Sequence, residues 1–333
     1  MSYVNVGIIG LGVGEHHIAG YRKHPRCGTI TVYDIDAERL NQVVRRHPGI
    51  IAVADEEEIF KNPSISVVSI ASYDDCHFAQ VTKALERDKH VFVEKPLCVR
   101  EDEAVHIRSL LTHRSHLRLS SNLILRRCPR FRRLREMIRQ GQLGTLFSID
   151  ADYLYGRLTK LTHGWRGQRG NYSVILGGGI HMVDLLLWLT GDTVKEVLGR
   201  GNRIAARDTA FGENDFTSHL LVCATGLIAR ISANFGCVHP HHHNLAVYGT
   251  GGTFLNRADA GLLFRSRDQK EPELLALPYP GYEKGDLIPD FLDAIIADTQ
   301  PEVTAEDIFA ALSVCFAMEK AVRSGQPVQV TYL

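Results

Sequence analysis

Short apolar runs alternate with amphipathic segments over residues 1–121. The apolar runs, which predict buried strands, lie at residues 4–9, 29–33, 66–71, 91–93 and 117–121. The amphipathic segments, which predict helices, lie at residues 15–23, 37–46, 78–87 and 103–111. Repeated alternation of strand and helix predicts a doubly wound α/β domain with a parallel sheet.

The pattern changes near residue 122. After a predicted helix at residues 131–140, segments of strand composition follow one another with turns between them, at residues 145–155, 196–203, 217–223, 227–235 and 244–248. Helical periodicity returns at residues 287–297 and 305–323. Consecutive strands predict a large, mostly antiparallel open sheet. We therefore expect one domain over residues 1–121 and a second, α+β domain over residues 122–333.

Three glycines stand between the first predicted strand and the first predicted helix. Gly10 and Gly12, with Val13 and Gly14 after them, lie where the backbone must turn tightly and approach a pyrophosphate at a helix N-terminus. In the G-x-G-x-x-G fingerprint the third glycine would fall at Glu15, so here it comes one residue early, consistent with an earlier helix start. The glycines predict a dinucleotide site, and the alternative is an ordinary glycine turn.

Asp34 strengthens the dinucleotide interpretation. It ends the second predicted strand, a position from which a carboxylate accepts hydrogen bonds from the adenosine ribose and repels a 2′-phosphate. The first domain is thus predicted to be a Rossmann-type domain that binds NAD rather than NADP, although Arg39 and Arg45 would offset part of the repulsion. The alternative role for Asp34 is an Asx turn.

A lysine follows the apolar run at residues 91–93. Glu94, Lys95 and Pro96 come at the carboxyl end of that predicted strand, the edge where open α/β sheets bind ligands. Lys95 is therefore the first catalytic candidate. The sequence leaves open whether the peptide bond before Pro96 is cis.

Charge and cysteine content exclude some classes of protein. Lys plus Arg (38) balances Asp plus Glu (38), so no global field favours nucleic acid or an anionic membrane. The seven cysteines are scattered and never in a Cys-x-x-Cys pair, which is typical of reduced thiols in a cytoplasmic protein. No apolar run approaches the roughly 20 residues of a membrane span, and no secretory leader is apparent.

Five motifs follow one another along the chain: residues 72–77, residues 89–97, Asn122 with Arg126 and Pro129, Trp165 with Arg166, and residues 177–185. Together they resemble the Gfo/Idh/MocA family of NAD(P)-dependent oxidoreductases over nearly the whole chain. The resemblance implies a cofactor site formed by Gly10, Gly12, Val13, Gly14, Asp34, Ser72, His77, Glu94, Lys95, Asn122, Trp165 and Arg166.

The resemblance also implies the catalytic groups. His181 matches the histidine that acts beside the lysine, but Gly177 stands where cyclitol dehydrogenases of the family have an aspartate. Some members that act on sugar nucleotides resemble this chain in keeping lysine and histidine without the aspartate. Asp184 follows His181 by one helical turn and could orient the imidazole, or it could simply favour the positive end of that helix.

These residues suggest hydride transfer between nicotinamide and a carbinol carbon of a sugar, sugar nucleotide or cyclitol. Lys95, partly desolvated beside nicotinamide, would be the principal acid/base and His181 the proton shuttle to solvent, and both would contact the reacting oxygen of the substrate. Glu94 would orient the lysine or hold the nicotinamide ribose. Two alternatives remain: an NAD-dependent glycosidase that oxidises its substrate transiently, and a non-catalytic dinucleotide-binding sensor.

Two further patterns have competing explanations. The histidines at positions 239 and 241–243 could ligate a metal, but Pro240 interrupts the strand and no carboxylates or thiolates stand at ligand spacing, so we predict no metal site and prefer a substrate-pocket or sheet-edge role. The arginine-rich block at residues 126–135 fits a solvated helix face, or Arg126 meets an anionic group of the substrate. We expect no nucleic-acid or membrane partner, and a homodimer or homotetramer formed through the open sheet.

Overall fold

The computed structural model describes residues 3–168 and 172–333, which pack as two compact units. The first contains the described residues of Met1–Ile124 together with Glu283–Phe309 and Leu333, and the second contains those of Leu125–Tyr282 and Ala310–Tyr332. The sequence predicted a single boundary after residue 121, whereas in the structure residues 283–309 belong to the first unit.

The first unit is built on a parallel sheet. Its strands are β1 (Val4–Ile9), β2 (Cys27–Tyr33), β3 (Ile51–Ala52), β4 (Ile65–Ile70), β5 (His90–Val93) and β6 (Leu119–Ser121). Its N-terminal helices are α1 (Leu11–Arg22), α2 (Ala37–Arg46), α3 (Glu56–Lys61), α4 (His77–Glu86) and α5 (Glu101–His113). The six strands lie in the order β3-β2-β1-β4-β5-β6, which confirms the predicted doubly wound fold and places its topological switch point between β1 and β4.

Local chemistry explains where two of these helices begin. Asp36 caps α2, because its carboxylate accepts the backbone N–H groups of Glu38 and Arg39, both at 3.1 Å. Asp55 and Glu58 form a reciprocal capping box at the start of α3. These caps satisfy N–H groups that have no intrahelical partner.

Residues 283–309 complete the first unit. Helix α10 (Ile288–Ala297) places Phe291 against Phe92 of β5, with ring centroids 5.6 Å apart. Lys23 pairs with Asp286 at 2.8 Å, and the Arg118 guanidinium donates to the Thr299 carbonyl at 2.7 Å. The C-terminal part of the chain therefore covers the sheet of the N-terminal domain.

The second unit is built on a nine-stranded sheet. Its strands are β7 (Leu146–Leu154), β8 (Val194–Asn202), β9 (Phe216–Cys223), β10 (Ile228–Asn234), β11 (His242–Gly249), β12 (Gly252–Asn256), β13 (Gly261–Phe264), β14 (Glu273–Leu275) and β15 (Val328–Gln329). They lie in the order β14-β13-β12-β11-β7-β10-β9-β8-β15, and among the pairs of this sheet in the described residues only β7–β10 is parallel. The predicted, mostly antiparallel sheet is confirmed.

Helices lie on one face of this sheet. The helices of the second unit are α6 (Pro129–Arg139), α7 (Leu158–Thr162), α8 (Trp165–Gln168), α9 (Ile180–Thr190) and most of α11 (Ala305–Ser324), and a π-helical turn, Ile175–Gly179, leads into α9. Alternate residues of β7, such as Ile149 and Ala151, are buried beneath them. The other face is partly polar, and there Arg230 pairs with Asp152 at 2.6 Å.

Among the residues that the structure describes, no helix is both long enough and apolar enough to span a membrane.

Candidate active site

The glycine turn between β1 and α1 has distinct structural demands at each glycine. Gly10 has a φ of 84°, and a Cβ there would lie 2.6 Å from backbone atoms of Ala71 and Ser72. A Cβ on Gly14 would lie 3.1 Å from the Ile8 side chain, so this glycine allows close packing of helix on strand. Helix α1 begins immediately after Gly10, which explains why the third glycine comes one residue early.

Gly12 lies between these two positions and differs from both. It is exposed, and a Cβ built on it would meet no atom within 4 Å, while Val13 beside it is half-buried. Open space therefore faces the N–H groups of the first turn of α1, where a helix binds anions. This turn fits the diphosphate of a dinucleotide.

Asp34 ties the end of β2 to the start of α1. Its Oδ2 accepts the backbone N–H of Leu11 at 2.6 Å, and its Oδ1 accepts that of Asp36 at 2.8 Å. The Arg39 guanidinium lies 3.4 Å from Oδ1. Asp34 is buried, so its charge is held beside the glycine turn by fixed donors. The ribose contact predicted for Asp34 stays a prediction.

Ser72 and His77 follow β4 along the same sheet edge. The Ser72 hydroxyl donates to Gln80 at 2.6 Å. His77 is fully buried, and its Nδ1–H donates to the Pro96 carbonyl at 2.6 Å. His77 therefore fixes the backbone that follows Lys95, a role that the sequence did not predict.

Glu94 is the centre of a hydrogen-bonded group at the end of β5. Its Oε1 accepts the Asn122 amide at 2.7 Å and lies 3.3 Å from His17 Nε2. Burial alone would raise the pKa of Glu94, but the His17 hydrogen bond and charge, the Lys95 charge and the Asn122 amide lower that pKa to about 2. Glu94 is thus a carboxylate that is 13% exposed and held next to a lysine.

Lys95 is half-buried and directly follows this carboxylate. The peptide bond between Lys95 and Pro96 is cis. Because Glu94 is held by Asn122 and the Pro96 carbonyl is held by His77, the backbone on both sides of Lys95 is fixed. The first unit therefore presents Lys95 on a rigid segment at the same sheet edge as the glycine turn.

His181 lies at the start of α9 in the second unit. It is 7% exposed, and its ring stacks on Tyr153 of β7, with centroids 5.9 Å apart and 18° between the ring planes. The predicted helix start thus places the imidazole against the strand that lies in the middle of the sheet.

Arg126 and Asp184 form a buried ion pair. Arg126 Nη2 donates to Asp184 Oδ1 at 2.5 Å, and Nε lies 3.1 Å from both carboxylate oxygens. The side chains are 3% and 2% exposed. The structure seats the Arg126 guanidinium on a carboxylate of α9, and the predicted contact of Arg126 with an anionic group of the substrate stays a prediction. The ion pair explains the burial of both charges.

Aromatic and imidazole rings surround Tyr153, and sequence reasoning did not identify Tyr153 itself. The neighbouring rings, all with centroids within 6.1 Å of its own, are Tyr155, Phe235, His181, His241 and His243. The signal was present in the sequence, because Tyr153 and Tyr155, like His241 and His243, are two residues apart and share a strand face.

His243 is a neutral hydrogen-bonding group in this cluster. Burial and the neighbouring histidines lower the pKa of His243 well below its ordinary value. The Tyr279 hydroxyl accepts the backbone N–H of His243 at 2.8 Å and hydrogen-bonds to its Nδ1 at 2.9 Å. The neutral ring carries one N–H group, so it can donate a hydrogen bond.

The histidines at positions 239 and 241–243 lie just before and at the start of β11. Within residues 3–168 and 172–333, no three His, Cys, Asp or Glu side chains are grouped so that they could hold a metal ion. His241 and His243 instead make a ring contact, with centroids 4.8 Å apart, in the aromatic cluster.

Trp165 and Arg166 lie beside the same cluster. The Arg166 guanidinium carbon is 4.6 Å from the Trp165 ring centroid and 5.4 Å from that of Tyr172. Both residues were predicted to approach the cofactor, and both lie in the second unit. Their predicted cofactor contact stays a prediction.

Two family models match the chain. Residues 4–122 match a model described as an oxidoreductase family with an NAD-binding Rossmann fold, and residues 131–255 match the GFO/IDH/MocA C-terminal domain. The first match assigns an NAD-binding Rossmann fold to the N-terminal part of the chain.

Individual relatives are distant. An inositol 2-dehydrogenase of Arthrobacter sp. (strain FB24) is 26% identical over 70% of this chain and 68% of its own length. A 1,5-anhydro-D-fructose reductase of Ensifer adhaerens is 26% identical over 84% of each protein. A solved levoglucosan dehydrogenase, in complex with NADH and levoglucosan, is 19% identical, covers 100% of both chains and has a TM-score of 0.88. The structural likeness establishes a shared fold over the whole chain.

Proposed function

Because this chain belongs to the Gfo/Idh/MocA family of oxidoreductases with an NAD-binding Rossmann fold, we propose that it transfers a hydride between NAD and a hydroxyl-bearing carbon. The substrate is an uncharged cyclitol, sugar or sugar derivative, and NAD is preferred to NADP. The observation that carries this proposal is the sheet edge at which the glycine turn, Asp34 and the rigid Glu94-Lys95-Pro96 segment lie together.

The residues of the sheet edge divide the binding of NAD among them. The open space at Gly12 and the N–H groups of α1 receive the diphosphate, and Asp34 receives the adenosine ribose. Ser72, Glu94 and Asn122 lie at the carboxyl ends of neighbouring strands, on the side where the nicotinamide ribose would lie. When bound, NAD supplies the hydride acceptor in alcohol oxidation, or the donor in the reverse reaction.

Lys95 is the acid/base in this proposal. As the carbinol carbon loses its hydride, the hydroxyl oxygen must lose its proton for a carbonyl to form, and the Lys95 amine accepts that proton. Glu94 remains a carboxylate, since its pKa is lowered to about 2, and it holds the lysine chain by charge. The Glu94 charge favours the ammonium form of Lys95, and the neutral amine that a base requires would be favoured in turn by the positive charge of a bound oxidised nicotinamide.

His181 passes the proton onward to solvent. The ring is stacked on Tyr153 and is 7% exposed, so it is oriented and still reachable by water. Arg126 and Asp184 are positioning residues here, because their buried pair fixes the helix that carries His181.

The ring cluster of the second unit supports an uncharged, hydroxyl-rich substrate. His243 presents an N–H donor, and Tyr153 and Tyr155 provide flat apolar faces of the kind that pack against sugar rings. Burial and the neighbouring phenols raise the pKa of Tyr153 well above its ordinary value, so the cluster contributes no phenolate there. The names of the inositol and anhydrofructose relatives point to the same class.

We also propose that the protein is a cytoplasmic homodimer or homotetramer. The support is the outer face of the nine-stranded sheet, which leaves Leu198 38% and Leu220 45% exposed on neighbouring strands. A second copy that covers this face would bury both leucines.

Nicotinamide absorbance with purified protein tests the function. NAD or NADP is combined with a panel of cyclitols, free sugars and UDP-sugars, and wild type is compared with Lys95→Ala. Substrate-dependent NADH formation that falls by about 10²–10⁴-fold in the variant is expected. Product release from glycosides with no net NADH would support the glycosidase alternative. NAD binding without turnover of any compound would support the sensor.

A further inference from the structure

Gly177 stands where the family resemblance places an aspartate, and another side chain occupies its Cβ position. A Cβ built on Gly177 would overlap the hydroxyl and Cζ of Tyr172 and would lie 3.1 Å from its Cε1. The absence of a side chain at residue 177 is therefore what admits the Tyr172 hydroxyl. The phenol stands where the first atom of an aspartate side chain would be.

Ring contacts hold Tyr172 in that position. The Tyr172 ring packs edge-to-face on Trp165 at 5.8 Å and on Phe235 at 6.0 Å, and the Arg166 guanidinium carbon lies 5.4 Å from its centroid. Tyr172 is 6% exposed. The ring is fixed by apolar and cation–π contacts, so its hydroxyl is delivered to residue 177 by packing.

Gly177 lies on the π-helical turn and His181 at the start of α9, which follows it directly. The two residues are four apart, so about one helical turn separates them. The Tyr153 ring lies beside both segments, because a Cβ on Gly178 would lie 2.6 Å from it and it stacks on His181. Tyr172, Tyr153 and His181 thus belong to one cluster.

We propose that the Tyr172 hydroxyl replaces the missing carboxylate as the group that positions His181 in the proton relay. This inference rests on the proposed function. A hydroxyl can hydrogen-bond to the imidazole directly or through one water, as a carboxylate can, but it adds no negative charge. The phenol, unlike a carboxylate at residue 177, does not stabilise the protonated imidazole by charge.

The sequence change and the structural change are matched. An aspartate at residue 177 and a tyrosine at residue 172 would overlap, so this chain has the phenol in place of the carboxylate. Gly177→Asp alone should therefore destabilise the protein. In Tyr172→Phe the ring carbon Cζ would still overlap a side chain at residue 177, whereas Tyr172→Ala removes the ring and leaves space for an aspartate there. The pair Gly177→Asp/Tyr172→Ala restores the family arrangement.

Kinetics with NAD and the substrate found for wild type give the first test. Tyr172→Phe should lower kcat about tenfold, the effect of losing one hydrogen bond to a charged or reacting group, with unchanged NAD affinity and thermal midpoint. Gly177→Asp/Tyr172→Ala should recover activity relative to Tyr172→Ala. Its acidic limb in alcohol oxidation should move to higher pH by about one unit, because a nearby carboxylate favours the imidazolium.

The rings in contact with His181, Tyr153 of β7 and His243 of β11, are common to all the variants, and so is the Arg126–Asp184 pair, whose carboxylate lies on α9. A shift confined to the Gly177 and Tyr172 variants therefore reports the exchange of phenol for carboxylate. Tyr248→Phe, on the opposite face of the sheet beside Phe147, is the matched control and should behave as wild type.

NMR titration of histidine-labelled protein gives a test that needs no turnover. The His181 signal is assigned by its loss in His181→Asn. Tyr172→Phe should change the His181 shift, and Gly177→Asp/Tyr172→Ala should raise the pKa of His181. Unchanged His181 signals and an unchanged kcat in Tyr172→Phe would overturn the proposal. Loss of turnover in Lys95→Ala at the same time would show that the proposed function stands without it.

Discussion

The buried pair of Arg126 and Asp184 permits a quantitative test of how the second unit holds His181. Both side chains are at most 3% exposed, and three close N···O contacts join them. Asp184→Leu leaves a guanidinium buried without this carboxylate, which should cost about 3–5 kcal/mol in the free energy of unfolding. Arg126→Met leaves the Asp184 carboxylate buried without this guanidinium and should lower the free energy of unfolding by about as much.

The double variant should be much less destabilised than the sum of the two single changes. Arg126→Met/Asp184→Leu removes both charges and leaves an apolar contact of similar volume, so it should lie within about 1–2 kcal/mol of wild type. The coupling energy of the cycle is then several kcal/mol. If Asp184 acts on His181 only by fixing α9, turnover in the double variant should also stay within about tenfold of wild type.

Urea unfolding followed by tryptophan fluorescence measures these differences in the free energy of unfolding for the second unit of the fold. The chain has two tryptophans, Trp165 and Trp188, and both lie in the second unit. A cost below about 1 kcal/mol for Asp184→Leu, or a double variant as unstable as the sum of the two single changes, would refute the claim that this pair holds the helix.

Three further predictions concern the first unit and the outer sheet face. Gly10→Ala should abolish NAD binding and lower stability, because its Cβ would lie 2.6 Å from the backbone of Ala71 at a φ of 84°, whereas Gly12→Ala should keep wild-type stability and weaken NAD binding alone. Calorimetry measures NAD binding and thermal melting measures stability, and an equal loss of melting temperature in the two variants would contradict these different roles. The pKa of Glu94 is lowered from 4.5 to about 2, so its contribution to stability, about 3 kcal/mol, should be present above pH 4.5 and lost as the pH falls towards 2. Glu94→Gln should therefore make the free energy of unfolding less dependent on pH over that range, and an unchanged pH dependence would show that the folded protein does not stabilise the carboxylate. Light scattering should give a dimer or tetramer that Leu220→Asp dissociates, and a wild-type monomer would rule out the proposed interface.

The fold was predictable where local patterns and burial agree. Residues 37–46 were predicted as a helix with the bounds that the structure shows, because Asp36 caps it and its apolar positions recur at helical spacing. Helix α3 was missed because only Ile59 and Phe60 of its six residues are buried, too few for a periodic signal.

The site was predictable only in part, for a related reason. The glycine turn, Asp34 and Lys95 follow strands directly, so a strand prediction places them at one edge. The contact of Arg126 with Asp184 joins residues 58 apart in the chain, and the overlap of Tyr172 with residue 177 depends on the packing of one ring. No local pattern encodes such contacts, since they follow from the tertiary fold.

Isotope transfer is the most direct test of the central claim, hydride transfer to NAD with Lys95 as the base. The protein is incubated with NAD and a substrate from the panel that carries deuterium on the carbinol carbon, and the nicotinamide product is weighed by mass spectrometry. The account predicts one deuterium on the reduced nicotinamide with wild type and almost none with Lys95→Ala, which should still bind NAD. Reduced cofactor without deuterium, or equal transfer by the Lys95→Ala variant, would contradict it.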